Sequence, residues 1–418
     1  MSTAEQHVSE YSMSMMKALE DCEMMNGKVC RRRRHELRHS GPLDELVGNL
    51  GESTDRCYCQ ETPTYIDELD VTTVPVHWVH SRYISANRPC LIRGLDGHFA
   101  EATRCWTTSA GIDPSWFLHN ISNAVPVRVP VSGGIDELDS EGRATECETK
   151  LMTITEWVAY LDSCGQQDVA RLYLKDWHLQ LLLESDGAST EAIPLYTIPP
   201  VFPKDMLNPF LNKYNAGDYR FVYWGPAGSA TPMHSDVMDS FSWSYNVAGV
   251  KEWTFFFDDD DSSPITLIQR QGELVFVPSG LRHCVTNVEE TISINHNWIT
   301  SDIVHKVWRC LLREDAAVEL ELASWSLSQQ MDARENMLRG CFGVNVTSFF
   351  FMVMWGGLNC VVGEGNKSRL ALQQLKQAMV KIINEDTIDL NGRLLSYLGC
   401  STKVESAMAI ARQFVDLE

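Results

Sequence analysis

A mainly β core with flanking helices and a helical C-terminal region is the fold class this sequence predicts, and three observations predict it. Residues 215–300 hold several strand-like segments at short spacing, separated by Gly, Pro, Asp and Ser, which suits a sandwich or barrel rather than βαβ units. Two of those segments alternate polar and apolar residues strictly, the mark of a strand with two unlike faces. From about residue 301 the apolar period turns helical, with Ile303, Val307, Leu311 and Leu312, then Leu370, Leu372, Leu375, Met379 and Ile382 at helix spacing.

The chain's 418 residues are ample for a large core. Its formal net charge of −21 repels phosphate backbones and anionic lipid, so a protein is the expected partner and neither nucleic acid nor membrane is. Thirteen cysteines, an odd number, are scattered through core-like segments, and the N-terminus has no apolar secretory stretch. Reduced thiols in the cytosol, or the nucleus, follow from that pattern. Phe349–Leu358 is the most apolar run; at about ten residues it is half the length a bilayer span needs, so it reads as a buried element. The sequence says nothing of oligomeric state.

Three regions are expected. Residues 1–65 are polar and read as a mobile arm, with a short helix over Met13–Leu19 and, at Arg31–Arg34, a solvated basic patch rather than the alternative, a nuclear localisation signal. Residues 66–300 form the β domain, and 301–418 the helical region. Before the dense strands, His77–Ile84 and Thr155–Leu161 have helical character, the latter with Thr153 or Thr155 as N-cap. Arg88–Gly94, Val125–Val129 and Arg171–Leu174 read as strands. Cys57 and Cys59 form a C-x-C pair with no second pair at zinc-ribbon spacing, and Asp258–Asp261 reads as a solvated turn rather than a cation loop, whose alternating ligands it lacks.

The chemistry concentrates between Tyr219 and Trp298. In Thr231-Pro232-Met233-His234-Ser235-Asp236, a histidine and an aspartate two apart on an extended chain point to one side, so an imidazole and a carboxylate reach one ion. The next strand puts Phe241, Trp243, Tyr245 and Val247 on one face and Ser240, Ser242, Ser244 and Asn246 on the other. The polar face is either solvated or lines a wet cavity; its closeness to His234 and Asp236 favours the cavity. Lys251 shares parity with Trp253 and Phe255, and an inward lysine needs an anion, because an unpaired buried ammonium is costly. After Pro278-Ser279-Gly280, His283 opens another strand, with Val285 and Asn287 on its face. In the last strand Ser293, Asn295 and Asn297 form a second polar stripe opposite Ile292 and Ile294. One histidine, or one H-x-D, is weak evidence; two histidines and a carboxylate in this ordered set make the facial triad of non-haem iron(II) oxygenases, which leaves three positions open.

The series His234-Ser235-Asp236, Lys251, Pro278-Ser279-Gly280 and His283, with the entry segment Arg88–Gly94, resembles the JmjC-domain 2-oxoglutarate oxygenases over roughly residues 74–300. The resemblance implies a double-stranded β-helix, a cupin-like jelly roll. It implies iron(II) held by His234, Asp236 and His283, with 2-oxoglutarate and O2 as cosubstrates. Lys251 would anchor the distal carboxylate of 2-oxoglutarate, assisted by Thr231, with Asn295 and Ser244 lining the cosubstrate. Ser244 stands where some relatives carry asparagine. Tyr173-Leu174-Lys175-Asp176-Trp177-His178 and Thr291–Trp298 are similar to the branch associated with lysyl hydroxylation of the eukaryotic translation termination factor, which implies a protein substrate. N-methyl-lysine demethylation by the same chemistry and a catalytically inactive scaffold are the alternatives.

Overall fold

The computed structural model describes residues 12–29, 64–121, 128–132, 149–164, 171–185, 194–202, 205–257, 263–324, 327–362 and 369–417. Arg31–Arg34, Cys57, Cys59 and Asp258–Asp261 lie outside the described residues. The chain divides into two compact units, one of residues 64–208 and 217–303, the other of residues 1–63, 209–216 and 304–418.

The first unit carries all the described strands: β1 (Asp67–Asp70), β2 (Cys90–Arg93), β3 (Thr107–Thr108), β4 (Gly111–Ile112), β5 (Arg128–Ser132), β6 (Lys150–Thr153), β7 (Tyr173–Trp177), β8 (Arg220–Gly225), β9 (Ala230–His234), β10 (Phe241–Ala248), β11 (Lys251–Phe256), β12 (Ile265–Gln269), β13 (Leu274–Val277), β14 (Arg282–Asn287) and β15 (Thr291–Trp298). A major sheet runs β1-β2-β13-β10-β15-β8-β7-β5-β6, and a minor sheet runs β12-β11-β14-β9. The last eight strands divide four and four between the sheets, the double-stranded β-helix arrangement. Of the expected strand Val125–Val129, residues 125–127 lie outside the described residues, and β5 covers the rest. The helix Ile154–Ser163 is capped by Thr153, whose hydroxyl accepts from the Glu156 amide while the Glu156 carboxylate accepts from the Thr153 amide at 2.7 Å.

Strand β10 explains how the two faces are used. Every residue in it is buried, the serines included. Phe241, Trp243 and Tyr245 point away from the lumen and are covered: Phe99, from the helix Asp96–Trp106, stacks on Tyr245 at 3.7 Å, and Phe202 stacks on Trp243 at 5.7 Å. The apolar face is thus sealed on the outside by a helix and a loop, and the polar face turns inward. Opposite it, Trp253, Phe255, Leu267 and Val285 join Ile66, Leu91, Val275 and Val277 in one buried cluster that closes part of the space between the sheets.

The second unit is helical, with Val304–Glu321, Leu327–Phe342, Val346–Val362, Arg369–Ile383, Leu390–Leu398 and Ser401–Val415. Residues 349–354 and Leu358 are wholly buried there, and no single helix among the described residues is long and apolar enough to cross a membrane. The expected mobile arm is corrected over residues 12–29, which form one helix longer than the Met13–Leu19 segment. Met15, Ala18, Leu19, Cys22, Met25 and Val29 recur at helix spacing and are buried. The helix is tied to the C-terminal helix through Asn26–Gln413 and Ser406–Glu23 hydrogen bonds of 2.6 Å each.

An ion cluster sits inside this unit. Arg393, 1% exposed, donates to Asp315 at 2.7 and 2.8 Å and to Glu335 at 2.6 Å, and Arg334 Nε reaches Asp315 at 2.8 Å. Burial pushes the Glu335 carboxyl above its usual range, and the Arg393 charge opposes that. Removing the arginine would strand the buried Glu335 and leave Asp315 with Arg334 alone. Arg393→Ala is expected to destabilise the protein by about 3–5 kcal/mol, read as a lower urea midpoint; a loss under about 1 kcal/mol would mean that the cluster is hydrated.

Candidate active site

The triad is assembled by one strand pair. His234 at the end of β9 lies directly opposite His283 on β14, while Thr231 lies opposite Val285. Three residues on β9 therefore span what two span on β14. This bulge reverses the parity of β9 between the two positions. Since His283 and Val285 share a face, Thr231 and His234 share it too, although they are three apart. Asp236 follows on the extended chain, and its backbone opens a short turn in which Met238 and Asp239 hold left-handed conformations (φ 64° and 49°). Ligand atoms of His234, Asp236 and His283 all lie within 4.8 Å of one another. Three ligands about 2.1 Å from a shared ion stand up to about 4 Å apart, so the set suits a single metal.

The imidazoles are oriented from behind. His234 Nδ1 lies 2.8 Å from the Pro232 carbonyl and His283 Nδ1 lies 3.0 Å from the Leu281 carbonyl. A carbonyl can only accept, so both protons sit on Nδ1 and both Nε2 lone pairs are left for a metal. Burial pushes the His283 imidazole down to about 4, with Asp236 opposing and His234 reinforcing the shift. That keeps it neutral, as a ligand must be. Its ring packs against Trp253 and Phe255, with centroids at 5.6 and 6.1 Å. Asp236 accepts at Oδ2 from the Ser242 hydroxyl at 2.7 Å, which fixes its plane.

Lys251 is 2% exposed and points into the lumen. Its ammonium donates to the Tyr173 hydroxyl at 3.0 Å and to Asn287 Oδ1 at 3.1 Å, both neutral groups. Burial pushes it down to about 7. A buried ammonium with neutral acceptors only has room in its electrostatics for an anion. Asn287 is held in turn by donating to Ser229 Oγ at 2.8 Å. These groups crowd the backbone of Gly225, where an added Cβ would meet Ser229 Oγ at 2.4 Å and Tyr173 Cδ2 at 2.6 Å, so only glycine fits. Ser244 lies opposite Asn295 on the lumen face. Its hydroxyl is buried without a hydrogen-bond partner among the described residues, while Asn295 donates to Ser293 Oγ at 3.2 Å. An orphaned hydroxyl and a cation without a counter-ion, beside three metal ligands, fit a chelating dianion.

Each residue singled out in the sequence thus faces the same lumen: His234, Asp236, His283, Lys251, Thr231, Ser244 and Asn295. Tyr173, Asn287, Ser242 and Gly225 complete the site beyond the residues that the motifs mark. Parity carried the signal for Asn287 and Ser242, each two or four residues along the strand from a named site residue. Tyr173 and Gly225 are brought in by the pairing of β7 with β8 inside the major sheet, which no local pattern in either strand dictates.

The comparisons with known proteins agree with this geometry. The family model described as JmjC domain, hydroxylase, matches residues 257–298, which include His283 but neither His234 nor Asp236. The 2-oxoglutarate and iron-dependent oxygenase JMJD4 of Mus musculus is 31% identical over 337 residues, 70% of this chain and 77% of that protein. The chain belongs to the JmjC family of 2-oxoglutarate and iron-dependent oxygenases. The Homo sapiens JMJD4 is 32% identical over 302 residues, 64% of this chain and 70% of that one. The arginine-specific demethylase JMJ20 of Arabidopsis thaliana is 32% identical over 282 residues, 56% of this chain and 57% of that one. Iron(II), with 2-oxoglutarate and O2 as cosubstrates, is therefore the chemistry this oxygenase is built for.

Two outcomes follow. Ser242→Ala frees the Asp236 carboxylate to rotate, so metal affinity should fall by about 10–100-fold with little change in thermal midpoint; unchanged Mn(II) titration would show that the serine is passive. The second concerns pH. An anion binds the protonated Lys251 and raises its proton affinity, so binding is strongest below the free value of about 7. As pH rises above that value, affinity for 2-oxoglutarate should fall by up to about tenfold per unit until the pKa of the complex is reached. Calorimetric titration of the Zn(II)-loaded protein checks it, and a flat profile from pH 7 upward would contradict it.

Proposed function

We propose that this oxygenase hydroxylates a lysine side chain of a protein substrate in the cytosol, and that the substrate is the eukaryotic translation termination factor. The observation that carries the reading is the convergence of His234, Asp236 and His283 on one point, with Lys251 buried and lacking a counter-ion on the same lumen face. A scaffold would have no use for a buried ammonium that costs stability.

Iron(II), 2-oxoglutarate and O2 together supply the oxidation of a substrate C–H bond to C–OH, with succinate and carbon dioxide as the other products. The chain's residues set the conditions. The Nε2 atoms of His234 and His283 and the Asp236 carboxylate would hold the metal, the carboxylate would offset half of its charge, and a three-ligand set would leave room for the cosubstrates. Lys251, oriented by Tyr173 and Asn287, holds the distal carboxylate of 2-oxoglutarate, with Thr231, Ser244 and Asn295 along its length. Trp253, Phe255 and Val285 exclude water from that side.

N-methyl demethylation is the second reading, favoured by one observation, the likeness to a relative named as an arginine-specific demethylase. It uses the same attack at a methyl carbon. Incubating the protein with iron, 2-oxoglutarate and the termination factor separates the two. The expected result is succinate formation stimulated by the factor and one added oxygen on a lysine, found by peptide mass spectrometry. Formaldehyde release from a methylated substrate, with no oxygen retained, would overturn the hydroxylase reading. Asp236→Ala should abolish turnover by at least about 100-fold while the protein stays folded, because a lumen ligand adds little to the hydrophobic core.

A further inference from the structure

Strand β7 carries a second bulge. Leu174 pairs with Trp224 and Trp177 with Val222, so three residues on β7 span two on β8. Trp224 and Val222 face away from the lumen, hence so do Leu174 and Trp177, and the extra residue lies between them. Asp176 absorbs it, with φ 57°, a conformation that Asp and Asn tolerate better than other residues with a side chain. Without the bulge Asp176 would share a face with Leu174. With it, the Asp176 carboxylate reaches the lumen side and accepts from the Tyr223 hydroxyl at 2.7 Å.

Tyr223 belongs to the site. Its β8 position lies opposite Ser293 on the lumen face. Its ring packs edge-on against Tyr173 at 5.8 Å, and Tyr173 touches Lys251. Phe221 and Tyr219 continue the same face of β8, at 6.3 and 6.0 Å from ring to ring. An aromatic ladder thus leads along the lumen wall beside Asp176. The carboxylate itself is exposed and, among the described residues, has no ion pair. Aromatic faces and an exposed acid are the surroundings that receive a cation.

We propose that Asp176 is a specificity-determining residue of this oxygenase: its carboxylate, held by the Tyr223 hydroxyl, receives the cationic end of the substrate side chain, an ammonium or guanidinium, so that a carbon of that side chain faces the metal. The inference rests on the reading of the protein as an oxygenase of cationic side chains, and goes beyond it by naming the group that selects them.

The test uses three peptides that differ only at a central lysine, arginine or norleucine, with succinate formation by the full-length iron-loaded protein as readout. A hydrogen-bonded charge contributes about 1.5–3 kcal/mol, so the wild type should prefer a cationic peptide over norleucine by about tenfold or more in kcat/KM. Asp176→Asn keeps the backbone conformation and the acceptor for Tyr223 but removes the charge. It should bring that ratio to within about twofold by raising KM for the cationic peptide, the mark of lost binding rather than lost chemistry. Tyr223→Phe should reduce the ratio partly, since the carboxylate stays but is no longer fixed. An undiminished ratio in Asp176→Asn, or equal use of norleucine by the wild type, would overturn the proposal. Peptide discrimination without turnover of the termination factor would sink the proposed substrate and leave Asp176 standing. Absence of any turnover would sink both.

Discussion

Opposite one another across the β9–β14 ladder, His234 and His283 depend on a single register. One residue more or less in either strand would turn one imidazole to the far side of the sheet, since side chains alternate along a strand. The bulge in β9 absorbs a residue without losing that register. It brings Thr231 to the lumen face and leaves Asp236 free to continue past the end of the strand. Everything else at the metal is built behind this pair: the carbonyls of Pro232 and Leu281 fix the imidazole protons, and Ser242 fixes the carboxylate.

The same device recurs at β7. There, too, one strand carries an extra residue against its neighbour, and there, too, a side chain that regular alternation would send outward is turned inward. A jelly roll with perfectly regular strands offers one residue in two to its lumen. Two bulges let this one add a hydroxyl and a carboxylate at positions that alternation denies.

A polar lumen conflicts with ordinary core formation, and the structure resolves the conflict by relocating hydrophobic burial. The aromatic face of β10 packs outward beneath Phe99 and Phe202. Stability is drawn from that layer and from the Trp253–Val285 cluster, which leaves Ser244 and Lys251 under-satisfied in the lumen. Groups held without full partners are what a ligand can exploit, because its binding makes the interactions that folding left unmade. The ion cluster around Arg393 is the opposite case: its charges are paired within the helical unit and have no lumen to serve.

By itself the sequence determined the closely spaced strands of the core, the candidate metal-binding triad, the inward lysine and the two polar stripes. Period-two alternation is a local property, and H-x-D, Lys251 and His283 each sit in segments whose parity can be read within a few residues. The helix at residues 12–29 was legible only in part, because Ala18, Cys22 and Met25 are weak apolar signals whose burial depends on helices nearly 400 residues away in sequence. Which face of β10 meets the lumen was not decidable locally, since alternation shows that two faces differ but not which one is covered. Tertiary structure decided that through Phe99 and Phe202. It also decided the partners of Lys251 and the inward turn of Asp176. Tyr173, Asn287 and Tyr223 come from strands distant in sequence, and a bulge is defined by the register between two strands rather than by either strand alone.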